Sequence, residues 1–322
     1  MDDPQDSAAD RDEFDRLAGP LRAELHVHCY RMLGSVHDAD DALQEALLRA
    51  WRARANLADA RNFRPWLYKI ATNRCLTMLE RRGRRELPMD SAAEVPAAER
   101  FWLEPYPGSG PVEPGPEARY TAREALELAF LAMLQQLPGV QRGALILRDV
   151  LGFTASETAE LLEVTVASAN SALQRARAQV GQRALAPGRP PDDPETRRLA
   201  VRYAAAWEAE DLEAIIALLA ADARYAMPPM PEWYLGRPAI RKFLIAHPLR
   251  WRWRFRPTVA NGQPAFGTYM WNAEHGVFEA MALDVLTVRD GAITEVVSFL
   301  DPALFPRFGL PEAVPEESAA RR

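Results

Sequence analysis

Between Phe14 and Arg85, apolar positions recur every three to four residues, the spacing that gathers one face of an α-helix, with breaks at Gly19-Pro20, Gly34-Ser35 and residues 56–62. In ADDALQEALLRAWRA the stripe Ala42, Leu43, Ala46, Leu47, Ala50 and Trp51 is placed for burial, and Asp38 is placed to cap the helix. Its other face carries Asp38, Asp41, Gln44 and Glu45, which alone signals only a solvated surface. In FRPWLYKIATNRCLTMLERRGRR, residues 63–85, the inward face is Leu67, Ile70, Ala71, Cys75, Met78 and Leu79. A second face repeats Trp66, Lys69, Asn73 and Thr77. An aromatic plane, a cation, an amide and a hydroxyl suit a stacked base and its phosphate, but the same tryptophan can also plug a core.

Periodicity then lapses. Residues 86–120 hold seven prolines and one aromatic cluster, FWLEPYP, so they read as a linker whose Phe101, Trp102 and Tyr106 dock on a folded surface. Helical spacing returns through Leu126, Phe130, Met133, Leu134 and Leu137 and again over residues 142–150. Thr154-Ala-Ser-Glu157 has the form of a capping box heading a short helix. After a tight turn, a longer helix over residues 167–183 turns Ala169, Ala172, Leu173, Ala176 and Val180 inward. Short helix, three-residue turn and longer helix make a helix-turn-helix. Its outward residues are Ser168, Asn170, Ser171, Gln174, Arg175 and Arg177, types that pair with base edges and phosphates; a plain helical hairpin in a bundle is the competing reading.

A second Pro-rich break, residues 186–194, precedes a different pattern. Two helices over 195–208 and 212–221 lead into a short strand, a Pro-rich bend, a helix near 238–246 and strands rich in β-branched and aromatic residues, with Asp290-Gly291 as a hairpin turn. Helices followed by a run of antiparallel strands give an α+β domain. The fold class is therefore multidomain: two all-α domains, the second a helix-turn-helix, and a C-terminal α+β domain. The expected limits are an acidic disordered tail to residue 13, helices over 14–85, a linker over 86–120, helices over 121–185, a linker over 186–194, the α+β domain over 195–305 and a tail over 306–322.

Charge sharpens this picture. The chain carries a net charge of −6, yet residues 61–85 hold eight Lys/Arg against the single acid Glu80, so Arg74, Arg81, Arg82, Arg84 and Arg85 join Trp66, Lys69 and Asn73 as candidates for nucleic-acid contact. The acidic N-terminus is unlike a secretory leader and no apolar run reaches bilayer length, which makes the cytoplasm the expected location and excludes a membrane partner. The two cysteines, Cys29 and Cys75, offer neither a disulfide framework nor a zinc motif. His26, His28 and Cys29 do not share a helical face, so no metal and no cofactor is expected.

In this order and spacing, Asp38-Ala-Asp-Asp-Ala-Leu-Gln-Glu45, Phe63-Arg-Pro-Trp-Leu-Tyr-Lys-Ile-Ala-Thr-Asn73, Leu137-Pro138 and the helix ending Ser171-Ala-Leu-Gln-Arg-Ala-Arg177 resemble the extracytoplasmic-function (ECF) sigma factors of bacterial RNA polymerase. The resemblance implies that residues 14–85 are sigma region 2 and residues 121–185 are sigma region 4. It assigns Asp38, Asp41, Gln44 and Glu45 to the clamp helices of the polymerase largest subunit. It makes Trp66, Lys69 and Asn73, backed by the arginines of 74–85, readers and melters of the minus-ten element, and residues 168–177 readers of the minus-thirty-five element. The recognition helix departs from many relatives in carrying Asn170 and Ala172 where they have basic residues.

The C-terminal segment resembles the SnoaL-like fold, a cone-shaped α+β barrel shared with ketosteroid isomerases and small hydrolases. Tyr225, Trp233, Tyr234, Trp251, Trp253 and Phe299 are then candidates to line a pocket or to fill a core. The isomerase aspartate after the first strand is replaced by the run Tyr225-Ala-Met227-Pro, and Asp284, His247 and His275 stand as isolated titratable groups. The resemblance implies a non-enzymatic regulator that packs on the helical domains of a chain monomeric when free. The alternative is a DNA-binding module fused to a ligand-binding or enzymatic barrel.

Overall fold

The computed structural model describes residues 8–57, 59, 62–85, 103–108, 127–180 and 191–316. It divides into two units, one of residues 1–104 and 110–186, the other of residues 105–109 and 187–322. Phe101, Trp102 and Leu126 lie outside the described residues, as do residues 181–183 at the expected end of the recognition helix.

The first unit opens with α1 (Ala8–Ala18), which begins inside the segment expected to be a disordered tail. The reason is Phe14, whose ring packs edge-on against Trp51 at 5.4 Å and Phe63 at 5.8 Å and so repays helix formation around it. Helix α2 (Arg22–Leu33) stops at Gly34 in the left-handed region, φ 74°. Helix α3 (Val36–Ala53) is capped by Ser35, not by Asp38: Ser35 Oγ accepts from the Asp38 N–H, which leaves Asp38 in the first turn, where a negative charge suits the helix dipole. From the linker, Glu104 takes the same helix end, accepting from Ser35 Oγ at 2.9 Å and from the Val36 N–H at 2.8 Å. Burial works to raise the Glu104 pKa, but hydrogen bonds from His37, Ser35 and the backbone hold it below its ordinary value.

In α4 (Phe63–Arg85) the buried face is rotated from the expected one. Leu67, Tyr68, Ala71, Thr72 and Cys75 are buried, whereas Ile70, Met78 and Leu79 are half-buried. A polar residue lies in this core because Thr72 Oγ1 meets His28 Nε2 at 2.8 Å, satisfying two groups that would each be costly alone.

Helices α5 (Leu128–Gln136) and α6 (Gly139–Leu145) follow, the latter running into a π-helical turn at Ile146–Val150. The capping box expected at Thr154 is present at the head of α7 (Ala155–Leu161), with Thr154 and Glu157 bonding each other's backbone N–H. Helix α8 (Val166–Val180) buries Ala169, Ala172, Leu173, Ala176 and Val180, as its spacing requires. The buried Arg142 of α6 donates to the Met32 carbonyl of α2, to the Gln135 carbonyl at 2.9 Å and to the Leu137 carbonyl at 3.1 Å, so it ties the later helices to the earlier ones.

The second unit has α9 (Pro194–Glu208), α10 (Leu212–Leu218) and α11 (Gly236–Ala246) packed with strands β1 (Leu219–Ala226), β2 (Trp233–Leu235), β3 (Trp253–Ala260), β4 (Gln263–Asn272), β5 (Val277–Arg289), β6 (Ala292–Phe299) and β7 (Ala313–Pro315). The sheet order is β2-β1-β6-β5-β4-β3 with β7 on β5, an open path in place of the closed cone expected. Closure needs more strand edge than this set supplies, because β2 is three residues long; α9 packs instead on β3 and β4. The C-terminal stretch also enters the fold, since Val314 is buried opposite Phe278. From the linker, Tyr106 docks on the β3–β4 turn: its N–H donates to Asn261 Oδ1 at 2.9 Å and its carbonyl accepts from the Asn261 N–H at 2.8 Å.

Candidate functional site

On α3, Asp41 and Gln44 are exposed and Asp38 and Glu45 half-exposed, and the exposed Leu48 continues the same side. Glu45 bonds Arg49 one turn on and pairs with Arg74 Nε of α4 at 2.7 Å. Arg74 is thus mostly buried between helices, away from the exposed arginine Arg81. Arg82, Arg84 and Arg85 continue α4, with side chains outside the described residues.

Trp66, Lys69 and Asn73 are all half-buried along α4. Trp66 leans on Phe63 with ring centroids 5.8 Å apart, and Asn73 gives its carbonyl to the Thr77 hydroxyl at 2.8 Å. Lys69 Nζ lies 3.6 Å from a carboxylate oxygen of Glu163, in the turn between α7 and α8. The two helical groups also meet where Phe153 packs on Tyr68 at 5.4 Å and where Gly139 lies against Leu76 and Leu79. A Cβ at Gly139 would stand 3.0 Å from the tip of the Leu76 side chain, so a larger residue there would require Leu76 to give slightly. These contacts explain why Leu79 is neither fully buried on its own helix group nor free in solvent.

All six outward residues of α8, Ser168, Asn170, Ser171, Gln174, Arg175 and Arg177, are exposed. Arg177 is engaged bidentately by Asp149, with Nε 2.9 Å from Oδ2 and Nη2 2.6 Å from Oδ1. Of the histidines near Cys29, His26 pairs with Asp40 at 2.9 Å and His28 with Thr72, and among the described residues no cluster of His, Cys, Asp or Glu could hold a metal ion.

The C-terminal domain holds a cavity of about 670 Å³. Of the six aromatic candidates, Tyr225, Tyr234, Trp251 and Trp253 line it, whereas Trp233 and Phe299 do not. The strand period explains the split: on β6 Ser298 faces the cavity, which turns its neighbour Phe299 to the opposite side, and on β2 Tyr234 does the same to Trp233. Trp233 stacks under Arg224, 5.1 Å from the guanidinium carbon. Asp284 is not isolated as expected. It sits opposite Ser298 in the β5–β6 ladder, accepts from the Ser298 hydroxyl at 2.6 Å and lines the cavity that His247 also reaches. Burial pushes its pKa up to about 7, with the hydroxyls of Ser298 and Tyr203 pulling the other way.

Sigma-70 region 2 matches residues 18–85, sigma-70 region 4 matches residues 127–180 and a SnoaL-like domain matches residues 200–296. Over 319 residues the chain is 41% identical to the ECF RNA polymerase sigma factor SigG of Mycobacterium tuberculosis, covering 94% of this chain and 85% of that relative. The chain belongs to the ECF sigma factors. It is also 27% identical over 307 residues to SigJ of the same species, covering 88% of this chain and 91% of that one. The crystal structure of M. tuberculosis SigJ shares the fold, with a TM-score of 0.64 over 94% of this chain and 99% of that one, at 24% identity.

As a sigma factor, the protein serves transcription initiation and binds core RNA polymerase and promoter DNA through regions 2 and 4. No helix among the described residues is long and apolar enough to cross a membrane. Sequence reasoning missed the Asp284–Ser298 pair, because its partners lie on different strands and become neighbours only through β5–β6 register. It also missed Glu163, whose signal was its place in the helix-turn-helix turn at a positive φ of 55°.

Proposed function

We propose that this sigma factor is held closed by contacts between regions 2 and 4 and opens on polymerase. The observation that supports this most directly is the pair Lys69–Glu163: a residue assigned to the minus-ten element faces an acid from the turn of the helix-turn-helix. Helix α7 packs on both α4 and α8, and packed helix axes lie about 8–10 Å apart, so the two reading helices sit within about 20 Å of each other. The two promoter elements are separated by about 25 base pairs, or about 85 Å at about 3.4 Å per step. A single promoter cannot be read at both ends without separating the regions.

In the open form, Asp38, Asp41, Gln44 and Glu45 dock on the clamp helices of the polymerase largest subunit. Trp66 stacks a flipped base of the minus-ten element, Lys69 and Asn73 hold its phosphate and edge, and Arg81, Arg82, Arg84 and Arg85 neutralise the flanking backbone, with Arg74 bracing the helix through Glu45. Ser168, Asn170, Ser171, Gln174, Arg175 and Arg177 read the minus-thirty-five element from the major groove. The sigma subunit acts in the cytoplasm, is monomeric when free and makes no covalent change itself. The SnoaL-like domain regulates it in cis by contact with the helical domains.

Run-off transcription with core polymerase tests this reading. Glu163→Ala should raise promoter-dependent initiation, and removal of residues 193–322 should leave initiation possible but change its level. Unchanged output from both variants would overturn the closed-state account; loss of co-purification with core polymerase would overturn the docking assignment.

A further inference from the structure

We propose that the α2–α3 corner of region 2 is a binding site for Leu103-Glu104 of the linker, forming a latch that is released when regions 2 and 4 separate on polymerase. The chain leaves α4 at Arg85 and is back on region 2 at Glu104. Every polar group of Glu104 is engaged there. Its N–H donates to the Gly34 carbonyl at 3.1 Å, and its carbonyl accepts from the Tyr30 hydroxyl at 2.7 Å. Its carboxylate accepts from the Ser35 hydroxyl at 2.9 Å, the Val36 N–H at 2.8 Å and the His37 N–H at 3.3 Å, and lies 2.9 Å from His37 Nδ1. Leu103 lies against Gly34, where an added Cβ would stand 3.0 Å from Leu103 Cδ2.

Two features mark this contact as detachable. Helix α3 already has its own cap, since Ser35 Oγ accepts from the Asp38 N–H, so the carboxylate that arrives from 68 residues away is an addition the helix does not require. The helix dipole favours an anion at that end, which accounts for the choice of a glutamate. The contact is also shallow. The Glu104 side chain is 31% exposed and that of His37 67% exposed, so water can replace each bond as it breaks.

Latching shortens the tether between the two promoter-reading regions, and this consequence rests on the separation of regions 2 and 4 argued above. The 23 residues between Glu104 and Leu128 reach about 80 Å when fully extended, whereas the 42 residues between Arg85 and Leu128 reach about 150 Å. Against promoter elements about 85 Å apart, the latched tether has no slack and the released one spans the gap at little more than half extension.

The test locks the latch in the full chain. Ser35→Cys together with Glu104→Cys should form a disulfide under a mild oxidant; Cys29 and Cys75 are buried, and the unaltered chain under the same oxidant is the control. Run-off transcription by the locked chain with core polymerase should fall about tenfold and return when reductant is added, so the reduced double variant itself reports a folded region 2. Glu104→Ala should raise initiation about threefold and speed amide exchange at Val36 and His37 about tenfold in the free chain. Failure of the disulfide to form, a locked chain that initiates as well as the reduced one, or unchanged exchange in Glu104→Ala would overturn the latch. A locked chain that initiates normally while Glu163→Ala still raises output overturns the latch alone and leaves the closed form standing.

Discussion

Among the buried titratable side chains of this sigma factor, His28 in one unit and Asp284 in the other are treated in opposite ways. His28 in region 2 is fully enclosed, bonded to Thr72 and flanked by the Tyr68 ring at 5.2 Å. Asp284 in the SnoaL-like domain is as deeply placed, but it lines a cavity. The first is a polar group absorbed into a packed core. The second faces an open space inside its domain, and that contrast separates a polar group enclosed by packing from one left at a cavity wall.

The largest expected effects follow from these two groups. Burial, with Arg31 adding to it, pulls the His28 pKa down to about 3, so the unfolded chain takes up a proton near pH 6.5 that the folded core refuses. Region 2 therefore loses stability as pH falls from about 6.5 toward 3, by about 5 kcal/mol in total. Asp284 behaves oppositely: its pKa is pushed up to about 7, so the folded carboxyl keeps a proton that the unfolded one has released near 3.8. The C-terminal domain then loses stability as pH rises from about 4 to 7, by about 4 kcal/mol. Amide hydrogen exchange, read separately in the two units across this range, should give slopes of opposite sign. Asp284→Asn should flatten the second slope alone, and a common slope in both units would break the comparison.

This distinction was only partly legible in the sequence. The inward face of α8 could be read almost residue by residue, because a two-sided helix states its burial in a 3.6-residue period. The face of α4 could not, because Tyr68 and Thr72 look polar in sequence and are buried only once His28 of α2 and Phe153 of the loop before α7 arrive. Capping shows the same limit. The Thr154 box is local and was visible, whereas Glu104 reaches the start of α3 from 68 residues away. In the C-terminal domain the strands were apparent, but strand parity decided which aromatics enter the cavity. The open sheet and the docking of β7 on β5 depend on long-range pairing that no local pattern encodes.

A smaller difference is expected from cutting side chains in the two places. Leu67→Ala removes a fully buried side chain from the α4 core and should cost about 3 kcal/mol in urea unfolding, because the space left cannot collapse. Met281→Ala only widens an existing cavity and should cost less than about 1 kcal/mol. Equal costs would mean that the cavity is packed as tightly as the core.

Function should divide along the same line. Trp66→Ala removes the candidate stacking ring and should lower open-complex formation about tenfold, since one base–aromatic stack is worth about 1–3 kcal/mol, while changing polymerase binding less than about twofold. Trp251→Ala, on a residue of the C-terminal domain that is 54% exposed and lines the cavity, should leave open-complex formation by the full chain unchanged. Equal loss of polymerase binding and open complex in Trp66→Ala would argue for a purely structural tryptophan.

The smallest effect distinguishes two arginines on one helix. Arg175 is exposed on α8, whereas Arg177 is locked to Asp149 by two hydrogen bonds of 2.9 and 2.6 Å. A phosphate contact by Arg175 releases counterions outright, so Arg175→Ala should reduce the salt slope of minus-thirty-five binding by about one. Arg177 must first give up Asp149, and the acid then stands near the DNA backbone, so the net gain from its contact is smaller. Arg177→Ala should therefore change the slope by less than Arg175→Ala, while Asp149→Asn should strengthen binding by freeing the guanidinium. Titration of holoenzyme onto a duplex carrying the element, repeated across salt concentrations, measures all three. A larger loss at Arg177 than at Arg175 would show that the Asp149 pair aims the guanidinium at DNA instead of withholding it.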